Sequence, residues 1–343
     1  MALAYAVLRR ETTNAPGTET VTPTYATKVL YVPGLEVGPD LGPAPLDRQD
    51  EIRNIDEPLS VVPEIFNPSL TARSRMYPDT MGQLLSVMLG APTTTAGNGV
   101  ITDPGATVIP IGVTRHVWTA PYGPAGVTPG CGDWRLAYRD QGVYFQLKGW
   151  APTSLTITNP ESGGAQVTAQ GPANYMARIS DPGLTPSYEA LTVLPFMRRN
   201  LTLTWLTGSA STEDFTLTIT NPVEQTRTVG SGSGYPDLLE KADGPITVTG
   251  SIPKRQLDPD DYDALLNATG FTARVTYTSP VVIASGYPYK LFVEFANAQY
   301  VAGDIDALQN RRRHGASFEF RGTTTGAAGH CTITLCNATA SYA

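Results

Sequence analysis

Apolar and polar residues alternate along many short stretches of the chain, and this period of two predicts β-strands. Glycine and proline separate the stretches at intervals of about ten residues, which is typical of sandwich or barrel domains. Residues 3–13 and 20–32 are expected to form an N-terminal hairpin about the turn Asn14–Gly17. Further strands are predicted at residues 107–119, 134–139, 143–150, 153–158, 165–179, 190–206, 215–220, 245–252, 271–278, 289–296, 316–321 and 331–338.

Two stretches instead follow the helical period. The first is predicted to begin at Pro78, which suits the first helical position, and to stop at Gly90. The second has Asp258 as its N-cap, Pro259 in its first turn and Gly270 at its end. The apolar face of the first helix consists of Met81, Leu84, Leu85, Met88 and Leu89.

Four landmarks recur in the same order in the two halves of the chain, which indicates a duplication. The matched segments are Leu8–Arg10 with Met197–Arg199, Val29–Pro33 with Leu217–Pro222, Pro78–Leu85 with Pro259–Leu266, and the glycine-bounded strands Gly142–Gly149 with Gly315–Gly322. The sequence therefore predicts a mostly β protein with two tandem β-sandwich or barrel domains, each flanked by one short α-helix. The first domain is expected at residues 1–183 and the second at 184–343, with the linker at 181–186.

Residues 33–75 show little regular pattern and are predicted to form a long loop. This segment is rich in proline and in carboxylates, which outnumber its arginines between residues 36 and 64. The loop is either a solvated surface segment or an arm that lies on another subunit. Its carboxylates are Glu36, Asp40, Asp47, Asp50, Glu51, Asp56, Glu57 and Glu64.

One strongly basic run is present, Arg311, Arg312 and Arg313 followed by His314. No aromatic residues interleave with it, as stacking on nucleic acid bases would require. The arginines are therefore predicted to form salt bridges with an acidic surface of a neighbouring subunit. The candidate inter-subunit contacts are Arg311, Arg312 and Arg313 with Glu36, Asp40, Asp47, Asp50, Glu51, Asp56 and Glu57.

Length and composition narrow the class of protein. At 343 residues the chain can bury two cores, and its 41% hydrophobic content argues against disorder. The net charge of −7 argues against a protein that grips nucleic acid through its phosphates. Three cysteines imply no disulfide framework, and Cys331 and Cys336 should point to opposite faces of one strand. No membrane span or signal peptide is visible, which favours assembly in a cytoplasm.

No constellation for catalysis emerges, so no catalytic residue, metal site or cofactor is predicted. The three histidines do not form a zinc-binding pattern. The loop Gly230–Gly234 lacks both the phosphate-loop ending and the spacing of a hydrolase nucleophile. The acidic residues around Pro259 fit a helix N-terminus better than a calcium loop.

Several of these features together resemble the tail tube proteins of long-tailed siphophages. They are the long loop before the proline–aspartate helix, the glycine-bounded strand in each half, the strand Phe215–Pro222 with the following glycine-rich loop, and the strand Ile246–Ile252. The resemblance covers most of the chain. With its two predicted domains, the chain resembles the double-domain tube proteins of some siphophages, including ones from thermophilic hosts.

The resemblance implies a structural virion protein. In that family each domain is a β-sandwich with a flanking helix, and the sheets of six domains join side by side around a ring. Two domains per chain then imply homotrimeric rings with pseudo-sixfold symmetry. The rings stack into a tube that conducts genomic DNA from the capsid to the host without specific binding, so an acidic lining is expected. Tape measure and tail terminator proteins are the implied partners, in a virion tail assembled in the host cytoplasm.

Two other functions remain open on the residues alone. One is a capsid decoration protein or another virion β-protein, and the other is a tandem β-domain module for adhesion or carbohydrate binding. The alternation of residues defines two faces of each strand but does not say which face lines a channel.

Overall fold

The computed structural model describes residues 3–10, 36–40, 44–46, 62–120, 132–138, 143–160, 164–180, 192–206, 208–209, 215–226, 238–241, 246–254, 259–306, 315–322 and 331–342. The described part is mostly β, with two α-helices, as the sequence predicts. The expected strand at 20–32, the linker at 181–186, and Asp258 lie outside the described residues.

The first half of the chain, residues 1–183, contributes twelve described strands and the helix α1. The strands are β1 (Leu3–Arg10), β2 (Glu36–Asp40), β3 (Ala44–Leu46), β4 (Val62–Ile65), β5 (Ser69–Arg75), β6 (Thr93–Ala96), β7 (Thr114–Thr119), β8 (Gly132–Tyr138), β9 (Val143–Trp150), β10 (Ser154–Thr158), β11 (Gln166–Pro172) and β12 (Tyr175–Ile179). Helix α1 (Pro78–Leu89) follows β5.

The second half, residues 184–343, contributes ten described strands, the helix α2 and a short 3-10 helix at Arg198–Asn200. The strands are β13 (Leu201–Trp205), β14 (Gly208–Ser209), β15 (Thr216–Thr220), β16 (Val223–Thr226), β17 (Leu238–Lys241), β18 (Thr247–Lys254), β19 (Phe271–Ala284), β20 (Tyr287–Asp306), β21 (Gly315–Gly322) and β22 (Thr332–Asn337). Helix α2 (Pro259–Leu266) follows β18.

One large antiparallel sheet runs through both halves in the order β14-β13-β19-β20-β21-β18-β15-β10-β11-β5-β2. A four-stranded sheet has the order β1-β8-β9-β12. Strand β12 follows β11 after two residues, so the chain passes directly from the large sheet into this smaller one. Strand β22 pairs with both β20 and β7 and so joins the end of the chain to its first half.

The same strand order occurs in each half. In the first half it is β1, β8, β9, β12 with β11, β5, β2, and in the second it is β13, β19, β20, β21, β18, β15. Each half places its helix after the equivalent strand, α1 after β5 and α2 after β18. The shared order involves five strand pairings in each half, with β11 and β12 counted as one strand.

The glycine-bounded landmark strands are not equivalent in this order. Strand β9 lies between β8 and β12, whereas β21 lies between β20 and β18. Position in the sheet instead relates β9 to the first part of β20, β11 to β21, and β12 to β22. Matching Gly142–Gly149 with Gly315–Gly322 was therefore wrong, because glycines mark where strands end and not which strands are neighbours.

The hydrophobic core is continuous across the two halves. All four tryptophans are buried, at Trp118, Trp134, Trp150 and Trp205. Helix α1 is buried on every side except at Gln83 and packs against β1, β7 and β22. The two helices thus cover sheet faces as predicted, and burial of large side chains supplies most of the driving force for this arrangement.

The helix ends partly follow the sequence prediction. Helix α1 begins at Pro78 and is followed by Gly90 in a positive-φ conformation, as expected. Helix α2 ends at Leu266 instead of extending to Gly270. Ala268 there takes a positive φ of 48°, which ends the helix before the glycine is reached.

The region 33–75 is more regular than its sequence indicates, because it holds β2, β3, β4 and β5. Strand β5 alternates between buried and exposed residues, with Leu70, Ala72 and Ser74 buried. Short, proline-flanked strands with small buried residues carry a weak hydrophobic signal, so the prediction of an irregular loop was wrong for these segments.

Candidate functional site

The strands β10 and β15 form a seam where the two halves of the chain meet within the large sheet. They pair antiparallel, with Leu155 opposite Ile219 and Ile157 opposite Leu217. All four of these side chains are buried. The two strands also share the sequence Leu-Thr-Ile-Thr-Asn-Pro, at residues 155–160 and 217–222.

The asparagine after each strand extends the seam. Asn159 Nδ2 donates a hydrogen bond to the Phe215 carbonyl oxygen at 2.8 Å, and the backbone N–H of Asn221 donates to the Thr153 carbonyl oxygen at 2.8 Å. Tyr277 donates its hydroxyl to Asn159 Oδ1 at 3.0 Å. Buried polar groups with partners of this kind fix one register, because any shift would leave them unpaired.

The face of the large sheet opposite the core carries a threonine row, defined here as Thr168, Thr156, Thr218 and Thr249. These residues lie opposite one another on four neighbouring strands, β11, β10, β15 and β18. Thr156 and Thr218 meet across the seam with their hydroxyl oxygens 3.2 Å apart. The face at the seam is therefore polar but uncharged.

Arginines lie at both ends of the threonine row. Arg73 is opposite Thr168, and Arg321 is opposite Thr249. Arg73 donates two hydrogen bonds to Gln166 Oε1, at 3.1 and 2.8 Å. Both arginines are exposed, so this face carries positive charge at its margins.

Several strand edges of the large sheet have no further strand beside them among the described residues; those of β14 and β6 are short, and two others are longer. One is the outer edge of β2, which pairs with β5. The other is the part of β20 beyond Ala298, residues 299–306, where the pairing with β19 has ended and β21 lies on the opposite side. Such edges are templates for pairing with another chain.

Only two of the predicted inter-subunit residues lie in the described part of the structure. Glu36 and Asp40 are the first and last residues of β2, so they lie on one of the open edges. Glu36 is opposite Arg73, and Asp40 is opposite Ser69. The remaining candidates, Arg311, Arg312, Arg313, Asp47, Asp50, Glu51, Asp56 and Glu57, lie outside the described residues.

The last residues of the chain are fastened onto helix α1. The Tyr342 hydroxyl donates to the Asp79 carbonyl oxygen at 2.6 Å, and the Tyr342 ring covers Gly82. A Cβ atom on Gly82 would lie 2.2 Å from that ring, so the position requires glycine. His116 meets the Tyr342 ring edge-on at 4.7 Å between centroids.

His116 is fully buried beneath this C-terminal segment. Its Nε2 lies 2.9 Å from the Thr339 carbonyl oxygen, which can only accept, so Nε2 carries the proton. Its Nδ1 then accepts from the Thr94 hydroxyl at 3.0 Å. Burial lowers the pKa of His116, although its hydrogen bonds to Thr339 and Asn337 act in the opposite direction, so the ring is neutral in the folded protein at pH 7.

Acid is expected to destabilise the protein through His116. The pKa of His116 is lower in the folded protein than in the unfolded chain, so the unfolded chain takes up the proton first. The stability that neutral His116 contributes is therefore lost as the pH falls below about 6.5. The slope is at most about 1.4 kcal/mol per pH unit. Urea unfolding at several pH values should show a flatter profile for His116→Gln than for the wild type. Equal slopes for both proteins would contradict this role.

A second buried polar group anchors the loop before β7 to β20. The Asp103 carboxylate accepts hydrogen bonds from Tyr287 and Lys290, both at 2.7 Å, and from the Thr107 N–H at 2.9 Å. Burial alone would raise the pKa of Asp103, but these donors lower it overall. The loop is therefore held in place by an ionised carboxylate with three donors.

The two described cysteines, Cys331 and Cys336, are buried and separate. Cys331 belongs to the main core, and Cys336 belongs to a smaller cluster with Ile109 and Tyr287, in line with the opposite faces predicted for them. Burial raises the pKa of the two thiols, to about 12 for Cys331 and about 11 for Cys336. Within the described ranges, no three histidine, cysteine or carboxylate side chains cluster as metal ligands would. Neither described helix is long and apolar enough to span a membrane.

Sequence reasoning found the strands of the seam but not their pairing. The signal that could have found it is the shared Leu-Thr-Ile-Thr-Asn-Pro segment at residues 155–160 and 217–222. Identical alternation on two strands allows both to bury leucine and isoleucine on one face and to place threonines on the other.

Comparison with known proteins gives one informative result. The family model described as phage tail tube protein matches residues 1–322, which include both helices, the seam and both open edges. No curated protein sequence matches the chain.

Proposed function

This chain belongs to the phage tail tube protein family, and from that premise we propose that three copies close a ring with pseudo-sixfold symmetry. It is a structural protein of the virion tail, and it assembles with itself and with other tail proteins into the tube. A role as a capsid decoration protein or an adhesion module is not favoured by this membership.

The repeated strand order is the observation that carries the trimer proposal. Residues 1–183 and 184–343 would each supply one tube domain, since each half has the same six-strand order and one helix. The two halves already join side by side at the seam through β10 and β15. Three chains then provide six such units, which a repeating contact can close into a ring.

The polar face of the large sheet is our candidate for the channel wall. The seam joins sheets laterally, so a ring built by repeating it would keep the threonine row on a single continuous face, opposite the core. The described wall would carry the threonine hydroxyls, with Arg73 and Arg321 at the ends of the row and Glu36 opposite Arg73, so its charge would be mixed, whereas the resemblance implies an acidic lining. Uncharged hydroxyls offer DNA phosphates no fixed cation along the seam.

Salt bridges between chains remain part of the proposal. Arg311, Arg312 and Arg313 lie in the connection between β20 and β21, and Glu36 and Asp40 bound the open edge of β2. Opposite charges near two edges that meet would favour the correct pairing. Tape measure and tail terminator proteins are the proposed partners at the tube ends, with assembly in the host cytoplasm.

The ring proposal predicts both a shape and a mass. Negative-stain microscopy of the purified chain should show hollow filaments with a regular axial repeat, and mass measurement of single rings should give three chains. Rings of six chains would contradict the assignment of two tube domains per chain. Replacing Arg311, Arg312 and Arg313 with glutamate should impair assembly. Normal filaments from that variant would contradict the proposed salt bridges but not the ring.

A further inference from the structure

We propose that neighbouring chains join through β2 of one chain and residues 299–306 of β20 of the next, paired antiparallel. This inference rests on the ring proposed above and names the contact that closes it. The contact would repeat, between chains, the seam that β10 and β15 make within a chain. It follows from carrying the duplicated strand order one step further.

Strand β2 corresponds to β15 in the repeated strand order. Each pairs on one side with the strand that precedes its half's helix, β2 with β5 and β15 with β18. Each is five residues long. On its other side β15 meets β10, whereas β2 meets no described strand. The unfilled side of β2 is therefore the side on which β15 receives its partner.

Strand β10 corresponds to the second part of β20, residues 299–306. Strand β10 lies beyond Trp150, where the pairing of β9 with β8 ends, and it forms a hairpin with β11. Residues 299–306 lie beyond Ala298, where the pairing of β20 with β19 ends, and they form a hairpin with β21. Strand β8 pairs with β9 but does not extend alongside β10, and β15 occupies that position beside β10. Strand β19 does not extend alongside residues 299–306, and no described strand occupies that position.

The exposed residues of this β20 edge suit pairing with another strand. Val301, Ala302 and Gly303 are all exposed, and Val301 is a large apolar residue with 56% of its surface accessible. Small and β-branched residues fit a strand in a sheet interior. Pro39 of β2 has no N–H, so the contact between chains has at most one ladder hydrogen bond fewer than the seam.

The pairing register follows from one row of opposed residues in each half. In the first half a row runs from Thr156 through Thr168 and Arg73 to Glu36. In the second half the matching row runs from Ala302 through Glu319 and Ser251 to Thr216. Glu36 and Thr216 are the first residues of β2 and β15, so the rows superpose end to end. Thr156 then corresponds to Ala302, and Thr218 corresponds to Gly38. The pair that lies opposed in the seam therefore predicts Ala302 opposite Gly38 between chains.

Disulfide cross-linking in assembled rings tests this register. The full chain carrying Gly38→Cys and Ala302→Cys is assembled, oxidised and run on a non-reducing gel. Opposed residues of antiparallel strands have Cα atoms about 4.5–5.5 Å apart, within the range that a disulfide spans. Covalent dimers and closed trimers that reductant reverses are expected. The single variants, and Gly38→Cys with Ser285→Cys in the exposed β19–β20 turn, should remain monomeric on the gel.

A second cysteine pair tests the same register, in case the first pair disturbs local folding. Glu36→Cys with Asp304→Cys lies two residues along the same ladder and should cross-link in the same way. If rings form by microscopy but neither pair cross-links, the strand assignment is overturned while the tube function stands. An intrachain disulfide, seen as a faster-migrating monomer, overturns it equally. Wild-type protein that forms no rings contradicts the proposed function itself, and microscopy reports this separately.

Discussion

Replacing Trp205 with alanine is expected to lower the free energy of unfolding by about 3–5 kcal/mol, the range for a large aromatic side chain lost from a core. Trp205 is 2% exposed and packs against Phe271, Phe295 and Phe320, with ring centroids 5.5, 6.4 and 4.9 Å away. These rings come from β19, β20 and β21, so one side chain on β13 holds four strands together. Alanine would leave a cavity that neighbouring rings can fill only partly.

Trp205 also begins a buried hydrogen-bond chain that reaches helix α2. Its Nε1 donates to the Tyr300 hydroxyl at 2.7 Å, and that hydroxyl donates to Asp261 Oδ1 at 2.6 Å. Trp205→Phe keeps a ring but removes the donor, so it should cost less than alanine, with about 1–3 kcal/mol from the hydrogen bond. Urea denaturation followed by circular dichroism measures both variants. Tyr262→Ala, on the exposed side of α2, is the matched control and should change stability by less than about 0.5 kcal/mol.

The largest effect on assembly is expected from Thr218→Pro. Thr218 lies at the centre of β15, opposite Thr156 on β10 and Thr249 on β18. Because β15 has a strand on each side, proline removes a ladder donor whichever way its N–H points, and its ring disturbs the pairing. The lateral junction between the two halves should be disrupted, so rings and tubes should disappear.

Light scattering and negative-stain microscopy compare this variant with a conservative one. Thr218→Val keeps a β-branched side chain and removes only the hydroxyl that meets Thr156 at 3.2 Å. This variant should assemble like the wild type, because one half-buried hydroxyl pair contributes little. Tubes from Thr218→Pro at the wild-type yield would show that the seam is not needed for assembly.

Local signals explain which elements the sequence could predict. Helix α1 begins at a proline, ends before a glycine and has a complete apolar face, and its observed bounds, Pro78–Leu89, agree with the prediction. Strand β9, Val143–Trp150, was predicted with the same bounds, since glycine and large apolar residues mark it. The end of α2 was missed because Ala268 adopts a conformation that sequence patterns normally assign to glycine.

Strand partners depend on contacts that local patterns do not contain. Residues 154–158 and 216–220 read equally well as strands, but alternation alone does not say that they pair with each other. Strand β5 buries only one large side chain, Leu70, and it gains its place from pairing with β11. The open edges that we propose as subunit contacts became visible only once the full strand order was known.

The intrachain seam also bears on how assembly depends on protein concentration. In the proposed ring, every second lateral junction lies within one polypeptide, like that between β10 and β15, and forms as the chain folds. A linked pair meets at an effective concentration set by its tether and not by the amount of protein in solution. Ring nucleation would then be third order in chains, where six separate single-domain subunits would give sixth order. Dilution should therefore slow nucleation far less for this duplicated chain than for a single-domain tube protein.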